Sequence, residues 1–290
     1  MNPDLIIRGV TLIDGTGAAP VPGDLAVQGE RIAAIGQIPP QSGVDEIDGT
    51  GLALAPGFID AHCHDDGALL TMPALTPKIS QGVTTVINGN CGISLAPTPV
   101  GRAPGPPPLN LVSRDGSNRF VRFADYFERL RADPPAVNSM CLVGHTSLRH
   151  AVMDDLTQPA SAEQIEQMSA LLAQALDDGV PGMSTGTYYP PAAAATTDEL
   201  IALSRVMSER GGLYVTHMRD EADKIEESLA ETFRIGTEAG VRVIVSHHKC
   251  VGRPSTRRAS SKPSGSMPIR MPPAQPSCRP TGLPELPRCW

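Results

Sequence analysis

Between residues 58 and 245, six short apolar runs alternate with longer stretches of helical periodicity: Phe58 to Ala61, Thr84 to Asn88, Met140 to Val143, Gly182 to Thr185, Leu213 to Thr216 and Val241 to Val245. This alternation predicts parallel strands joined by crossover helices, because parallel neighbours cannot be linked by a tight turn. The helical stretches carry their own punctuation. Ser161 with Gln164 forms a capping box, Ile165, Met168, Leu172, Ala175 and Leu176 give an apolar stripe, and Gly179 stops the helix. Thr196 with Glu199 opens a second helix that closes near Gly211-Gly212, and Ile225, Leu229, Thr232 and Phe233 mark a third, closed by Gly240. An open doubly wound sheet and a (β/α)8 barrel both satisfy such a pattern, and the position of the polar groups separates them.

The run Pro56 to Asp66 ends an apolar segment in His62-Cys63-His64, followed by Asp65 and Asp66. In extended chain, alternate side chains share a face, so the two imidazoles converge while Cys63 points the other way. Cys91 lies just past the second strand, His217 ends the fifth and His247 ends the sixth. Ligand-type residues at the C-terminal ends of several strands match the catalytic face of a (β/α)8 barrel. A doubly wound sheet would want a glycine-rich phosphate turn after its first strand, and Ile87 to Gly92 is only superficially like one. Singly, Cys91 reads as a core thiol, and His217 or His247 as a hydrogen-bonded core histidine. Together they form the nitrogen and sulfur donor set that zinc prefers. His248 is expected to face away from His247 in a supporting role. His145 and His150 read as parts of a solvated loop, and Arg219, Asp220 and Glu221 as surface ion-pairing residues.

The first fifty residues read as short strands, Leu5 to Val10, Asp24 to Gln28, Arg31 to Gly36 and Val44 to Ile47, with a hairpin turn at Gln28 to Arg31. Residues 1–50 are therefore expected to form a small β module, half of a composite β-sandwich, ahead of a barrel domain at 51–251. With 40% hydrophobic and 19% charged residues the composition is that of a globular chain, and no run approaches the ~18 apolar residues of a membrane span. The start lacks a leader pattern, which predicts a cytoplasmic protein whose six cysteines are thiols rather than a disulfide framework. Residues 252–290 differ in kind: Arg253, Arg257, Arg258, Lys262, Arg270, Arg279 and Arg288 stand against Glu285 alone, among nine prolines. That segment is expected to be disordered. It has one aromatic residue and no folded platform, so no nucleic-acid partner is expected.

The segments Asp4 to Val10, Pro56 to Asp66 and Gly89 to Ser94 resemble the amidohydrolase superfamily, and within it the N-acyl-D-amino-acid deacylases, or D-aminoacylases. Ser184 to Pro191, Thr216 to Arg219 and Ser246 to Lys249 extend the resemblance, which covers residues 1 to about 251. The cysteine after the second strand is its most specific element, because most members of the superfamily use a carboxylated lysine instead. The resemblance implies an incomplete (β/α)8 TIM barrel of about six strands. It implies Zn2+ held tightly by Cys91, His217 and His247, with His62 and His64 at a second, weaker position. It places Lys249 and Tyr189 near the substrate carboxylate and the scissile carbonyl, and lets the proline-rich Ala96 to Leu109 segment shape an acyl pocket. The implied reaction is hydrolysis of small-molecule N-acyl-D-amino acids by attack of metal-bound hydroxide, giving a carboxylate and a D-amino acid. The pattern breaks near Gly252, before the last two strands and the catalytic Asp that relatives carry. Two further readings follow: a truncated or frameshifted remnant that at most binds zinc, and an amidohydrolase acting on a cyclic amide, as dihydroorotases and hydantoinases do.

Overall fold

The computed structural model describes residues 2–113 and 118–251. The basic segment 252–290, with the disorder expected of it, lies outside the described residues. The chain divides into two compact units, Met1–Phe58 and Ile59–Trp290.

The first unit is one five-stranded sheet made of β1 (Leu5–Leu12), β2 (Val21–Gln28), β3 (Arg31–Gly36), β4 (Asp45–Asp48) and β5 (Ala53–Leu54). The order is β3-β2-β1-β4, with β5 also beside β1. Strand β2 runs antiparallel to β1 and β3, whereas β4 and β5 are parallel to β1. Because Ala53 and Leu54 pair with Thr11 and Leu12, this unit continues past residue 50. Strand β2 starts at Val21, earlier than the expected Asp24, and tolerates Pro22 because β3 pairs only with Asp24 onward. The missing amide of Pro22 therefore faces no partner strand. Ile6, Val10 and Ala26 are buried, while Val21, Ile32, Ile35 and Ile47 are exposed. A sheet of short strands hides only one of its faces by itself.

The second unit alternates strand and helix: β6 (Phe58–Asp60), α1 (Ala68–Thr71), α2 (Thr76–Ile79), β7 (Val83–Asn88), α3 (Phe123–Ala132), β8 (Asn138–Cys141), β9 (Val143–Gly144), α4 (His145–Val152), α5 (Ala162–Asp177), β10 (Gly182–Gly186), α6 (Pro190–Ala193), α7 (Thr197–Ser208), β11 (Leu213–His217), α8 (Ile225–Ala239) and β12 (Arg242–Val245). The strands pair as β6-β7-β8 and as β9-β10-β11-β12. The expected third strand is thus split in two, with Leu142 between the halves donating its amide to Asn88 O at 3.0 Å. The registered pairs of this unit are parallel. The strand order follows the chain and never reverses, which is the winding of a barrel rather than of a doubly wound sheet.

Alternate residues of each strand face opposite ways. Val86, Val143, Met183 and Tyr214 are buried in one core with Met168 and Leu172 of α5, Leu200 and Leu203 of α7 and Ile235 of α8. Each fully buried side chain of this size contributes about 1.5–3 kcal/mol. On the other face Ile87, Leu142, Val215 and Ile244 line a cavity of about 280 Å³ that also has His62 and His247 in its wall. The helix signals read from sequence hold. Ser161 and Gln164 make the reciprocal capping box of α5, Thr196 Oγ1 accepts from the Glu199 amide at 3.1 Å, and Gly240 ends α8 at φ +67°.

Candidate metal centre

The donor residues gather where the strands end. Cys63 is buried, and its amide donates to Ile87 O at 3.1 Å, which ties the first strand's outgoing loop to β7. His62 and His64 leave that loop with their rings perpendicular and 5.6 Å apart. Cys91 sits in the loop after β7 with φ +53°, a left-handed conformation uncommon for a side chain larger than glycine. The surroundings hold that loop in place. A Cβ on Gly186 would fall 2.2 Å from Cys91 O, and one on Gly89, whose φ is +72°, would fall 2.0 Å from Leu142 O. Only glycine allows these strand ends to approach so closely. Ser184 Oγ accepts from the Gly92 amide at 2.9 Å and donates to Gly89 O, clamping both sides of Cys91.

Two three-residue groups could hold a metal ion, each with its donor atoms within 4.8 Å of one another: His62, Cys91 and His247, and His217, Glu221 and His247. Cys91 Sγ lies 3.2 Å from His62 Nε2 and 3.8 Å from His247 Nε2. Zinc bonds of usual length at a tetrahedral angle put sulfur and nitrogen ~3.5 Å apart, so both spacings suit a shared zinc ion. The His217 and His247 rings are 4.5 Å apart, and those of His62 and His247 4.9 Å. This grouping differs from the division expected from sequence. His62 joins Cys91 and His247, and His64 belongs to neither group. The buried Nδ1 of His64 has no hydrogen-bond partner among the described residues.

Burial pushes the His62 and His217 imidazoles down to about 4; the other histidines of the cluster reinforce the shift at both, although the Glu221 carboxylate opposes it at His217. Burial likewise lowers His64. Neutral rings offer lone pairs to a metal. Burial also pushes the Cys91 thiol up to about 12, with Glu221 adding to the effect. A bound cation reverses that preference, since a coordinating thiol is deprotonated outright. Converging neutral imidazoles, an enclosed thiol and an orphaned ring nitrogen fit zinc in both spacing and donor chemistry.

Around this set, Tyr189 OH is 3.4 Å from His217 Nδ1, and the Tyr188 ring stacks on His217 at 5.4 Å. Lys249 Nζ reaches His247 Nδ1 at 3.0 Å and pairs with Glu221. Tyr189 and Lys249 thus both border the metal-ligand candidates.

Other positions depart from their sequence reading. Glu221, expected at the surface, is 5% exposed and touches His217, His247 and Lys249, because the turn after β11 folds inward over the strand ends. Arg219 does pair, with Glu231 at 2.8 Å, and also donates to Ala193 O and Ala195 O, which pins the segment after Tyr189. His248 is exposed, and among the described residues no contact ties it to the cluster. His145 is not in a solvated loop. It opens α4, is fully buried and lies 2.8 Å from Glu199, which Arg149 grips with two bonds of 2.7 Å. His150 is half-buried on the same helix, 3.0 Å from Ala103 O. The i, i+4 spacing of His145 and Arg149 is the signal that marks this helix face. The proline-rich segment is packed at both ends, Ala96 and Leu109 being buried.

The amidohydrolase family model matches residues 45–269. The chain is 53% identical over 256 residues to a D-aminoacylase of Alcaligenes xylosoxydans xylosoxydans, an alignment covering 88% of this chain and 52% of that protein. The crystal structure of the N-acyl-D-glutamate deacylase from Bordetella bronchiseptica, complexed with zinc and a phosphonate inhibitor, superposes with a TM-score of 0.84 at 40% identity, over 90% of this chain and 55% of that one. A D-hydantoinase structure shares only the fold, with a TM-score of 0.50 and 16% identity over 83% of this chain and 51% of that one. The chain spans about half the length of the curated relatives it matches. On the family match, the sheet winding and the donor set together, the chain belongs to the amidohydrolase family.

Proposed function

We propose that this chain carries the zinc-binding part of an N-acyl-D-amino-acid deacylase, which hydrolyses the amide bond of an N-acyl-D-amino acid to a carboxylate and a D-amino acid. The observation that carries the reading is Cys91, set between His62 and His247 in a chain 53% identical to a D-aminoacylase. His62, His64, Cys91, His217 and His247 are assigned to metal binding. When bound, zinc supplies a Lewis acid that polarises the amide carbonyl and lowers the pKa of coordinated water.

The remaining residues orient the substrate. Lys249 presents a half-exposed ammonium group at the rim of the donor cluster, paired with Glu221, from where its remaining N–H can meet the carboxylate of the amino-acid product. Tyr189 presents a hydroxyl beside His217, where it can donate to the amide oxygen. Burial raises the Tyr189 pKa, so the phenol stays protonated as that role requires.

A second reading, zinc binding without hydrolysis by this chain alone, is supported by the carboxylates near the cluster. Asp65 pairs with Lys78, Asp66 accepts from the Gly89 amide, and Glu221 pairs with Lys249, so each of these three carboxylates already meets a cation or an amide. The likeness to D-hydantoinase is one of fold and carries no argument for a cyclic amide. The test is an assay of the zinc-loaded chain against N-acetyl-D-amino acids, their L forms and dihydropyrimidines. Release of D-amino acid alone supports the deacylase reading. Zinc binding with no turnover supports the second, and turnover of dihydropyrimidines rejects both.

A further inference from the structure

We propose that Glu221 is the positioning residue of this centre: its buried carboxylate sets the orientation of the His247 ring and holds the Lys249 ammonium beside it. The inference rests on the metal reading above and gives a role to a residue which that reading leaves without one. His247 needs such support. It follows β12, the last described strand, its side chain is 30% exposed, and its backbone sits at φ +32°. An exposed ring on a strained backbone does not hold a ligand geometry unless something fixes it.

Glu221 is placed to do so. The two nitrogens of His247 face different partners: Nε2 lies 3.8 Å from Cys91 Sγ, whereas Nδ1 lies at ion-pair distance from Glu221 Oε1, 2.9 Å, and 3.0 Å from Lys249 Nζ, which itself pairs with Glu221. A metal-binding histidine commonly turns one nitrogen to the metal and the other to a carboxylate, which fixes its tautomer and ring angle. Glu221 also binds the same segment through its main chain, its carbonyl accepting from the Val251 amide at 2.7 Å. The stretch from His247 to Val251 is therefore tied to one residue at three points: His247, Lys249 and Val251. A carboxylate buried this far needs a cation, and Lys249 is that cation. His217 Nε2, at 3.4 Å from Glu221 Oε2, completes the set, so the carboxylate reaches both late-strand histidines.

The test uses the full chain and its Glu221→Gln and Glu221→Asp variants. Zinc affinity is measured by competition with a chromophoric chelator, and the visible spectrum is recorded after loading with cobalt(II). Positioning predicts that Glu221→Gln binds zinc 10–100-fold more weakly, the usual loss for a partner of a metal-bound histidine. The cobalt ligand-field bands and thiolate charge-transfer band keep their shape, and Glu221→Asp, which retains the charge, falls between the two. Affinity of Glu221→Gln within about threefold of the unsubstituted chain, or of Glu221→Asp equal to it, overturns the proposal. Altered ligand-field bands also overturn it, by making Glu221 a ligand. If Glu221→Gln loses its circular dichroism signal, the Glu221→Asp comparison decides alone. Failure of the unsubstituted chain to bind zinc rejects the metal reading itself, an outcome distinct from equal binding by all three proteins.

Discussion

At the scale of residues, the proposed centre turns on one sulfur atom, on a residue in an unusual backbone conformation. Cys91 is buried and flanked by imidazoles, and burial keeps its thiol protonated until a cation arrives. Cys91→Ala is expected to abolish tight zinc binding. Zinc at a thousandfold excess over its dissociation constant stabilises the parent by about 4 kcal/mol through mass action, and the variant should melt at the same temperature with and without the metal. Thermal melts of both proteins, zinc-free and zinc-loaded, check this. The convergence of these candidate donors was legible because they lie at the ends of apolar runs, where a side chain meets a barrel's open face. The inward turn of Glu221 was not, since its burial depends on Lys249 and His247, which lie far along the chain. Nor was the grouping of His62 with Cys91 rather than with His64, which is set by how the loops after β6 and β7 pack together.

At the scale of elements, glycine and a buried ion cluster place the strand ends. Gly186→Ala would drive a methyl group into the Cys91 carbonyl, 2.2 Å from the new carbon. The expected outcome is lost zinc binding with far-ultraviolet circular dichroism retained, measured on one sample by metal analysis and spectroscopy. Helix α4 is held to α7 by His145, Arg149 and Glu199, all fully buried. Burial opposes ionisation of Glu199, but the His145 hydrogen bond and the charges of His145 and Arg149 outweigh it and hold its pKa down at about 2. A depressed carboxylate stabilises the fold above its unfolded pKa of ~4.3 and loses that contribution as the pH falls toward 2. Glu199→Gln should therefore cost about 3–5 kcal/mol near neutral pH, as expected for removing one partner of a buried pair. The gap to the parent should close toward pH 2 in denaturant titrations. The helices with caps and apolar stripes, α5, α7 and α8, were readable from sequence. Helix α4 was hidden because its buried face is polar, and a hydrophobic period does not register a histidine and an arginine satisfied by one glutamate.

At the scale of the whole molecule, the described strands of the barrel unit follow chain order in two ladders, β6-β7-β8 and β9-β10-β11-β12, with β6 and β12 outermost among the described residues. Ile59 on β6 is 63% exposed and Ile244 on β12 is 48% exposed. Open sheet edges with apolar side chains favour association with other chains. The chain is expected to self-associate with rising concentration in sedimentation velocity, and Ile244→Lys should reduce that association. The barrel winding was legible from the alternation of elements and the placement of donors at strand ends. Which described strands lie outermost follows from pairing, which local periodicity does not register.

Zinc K-edge X-ray absorption on the zinc-loaded full chain asks whether the sulfur of Cys91 is bonded to the metal. A Cys91-ligated site gives one sulfur scatterer at ~2.3 Å with nitrogen or oxygen neighbours at ~2.0–2.2 Å, and loses the sulfur shell in Cys91→Ala. A spectrum fitted by nitrogen and oxygen alone, the same in parent and variant, would contradict it.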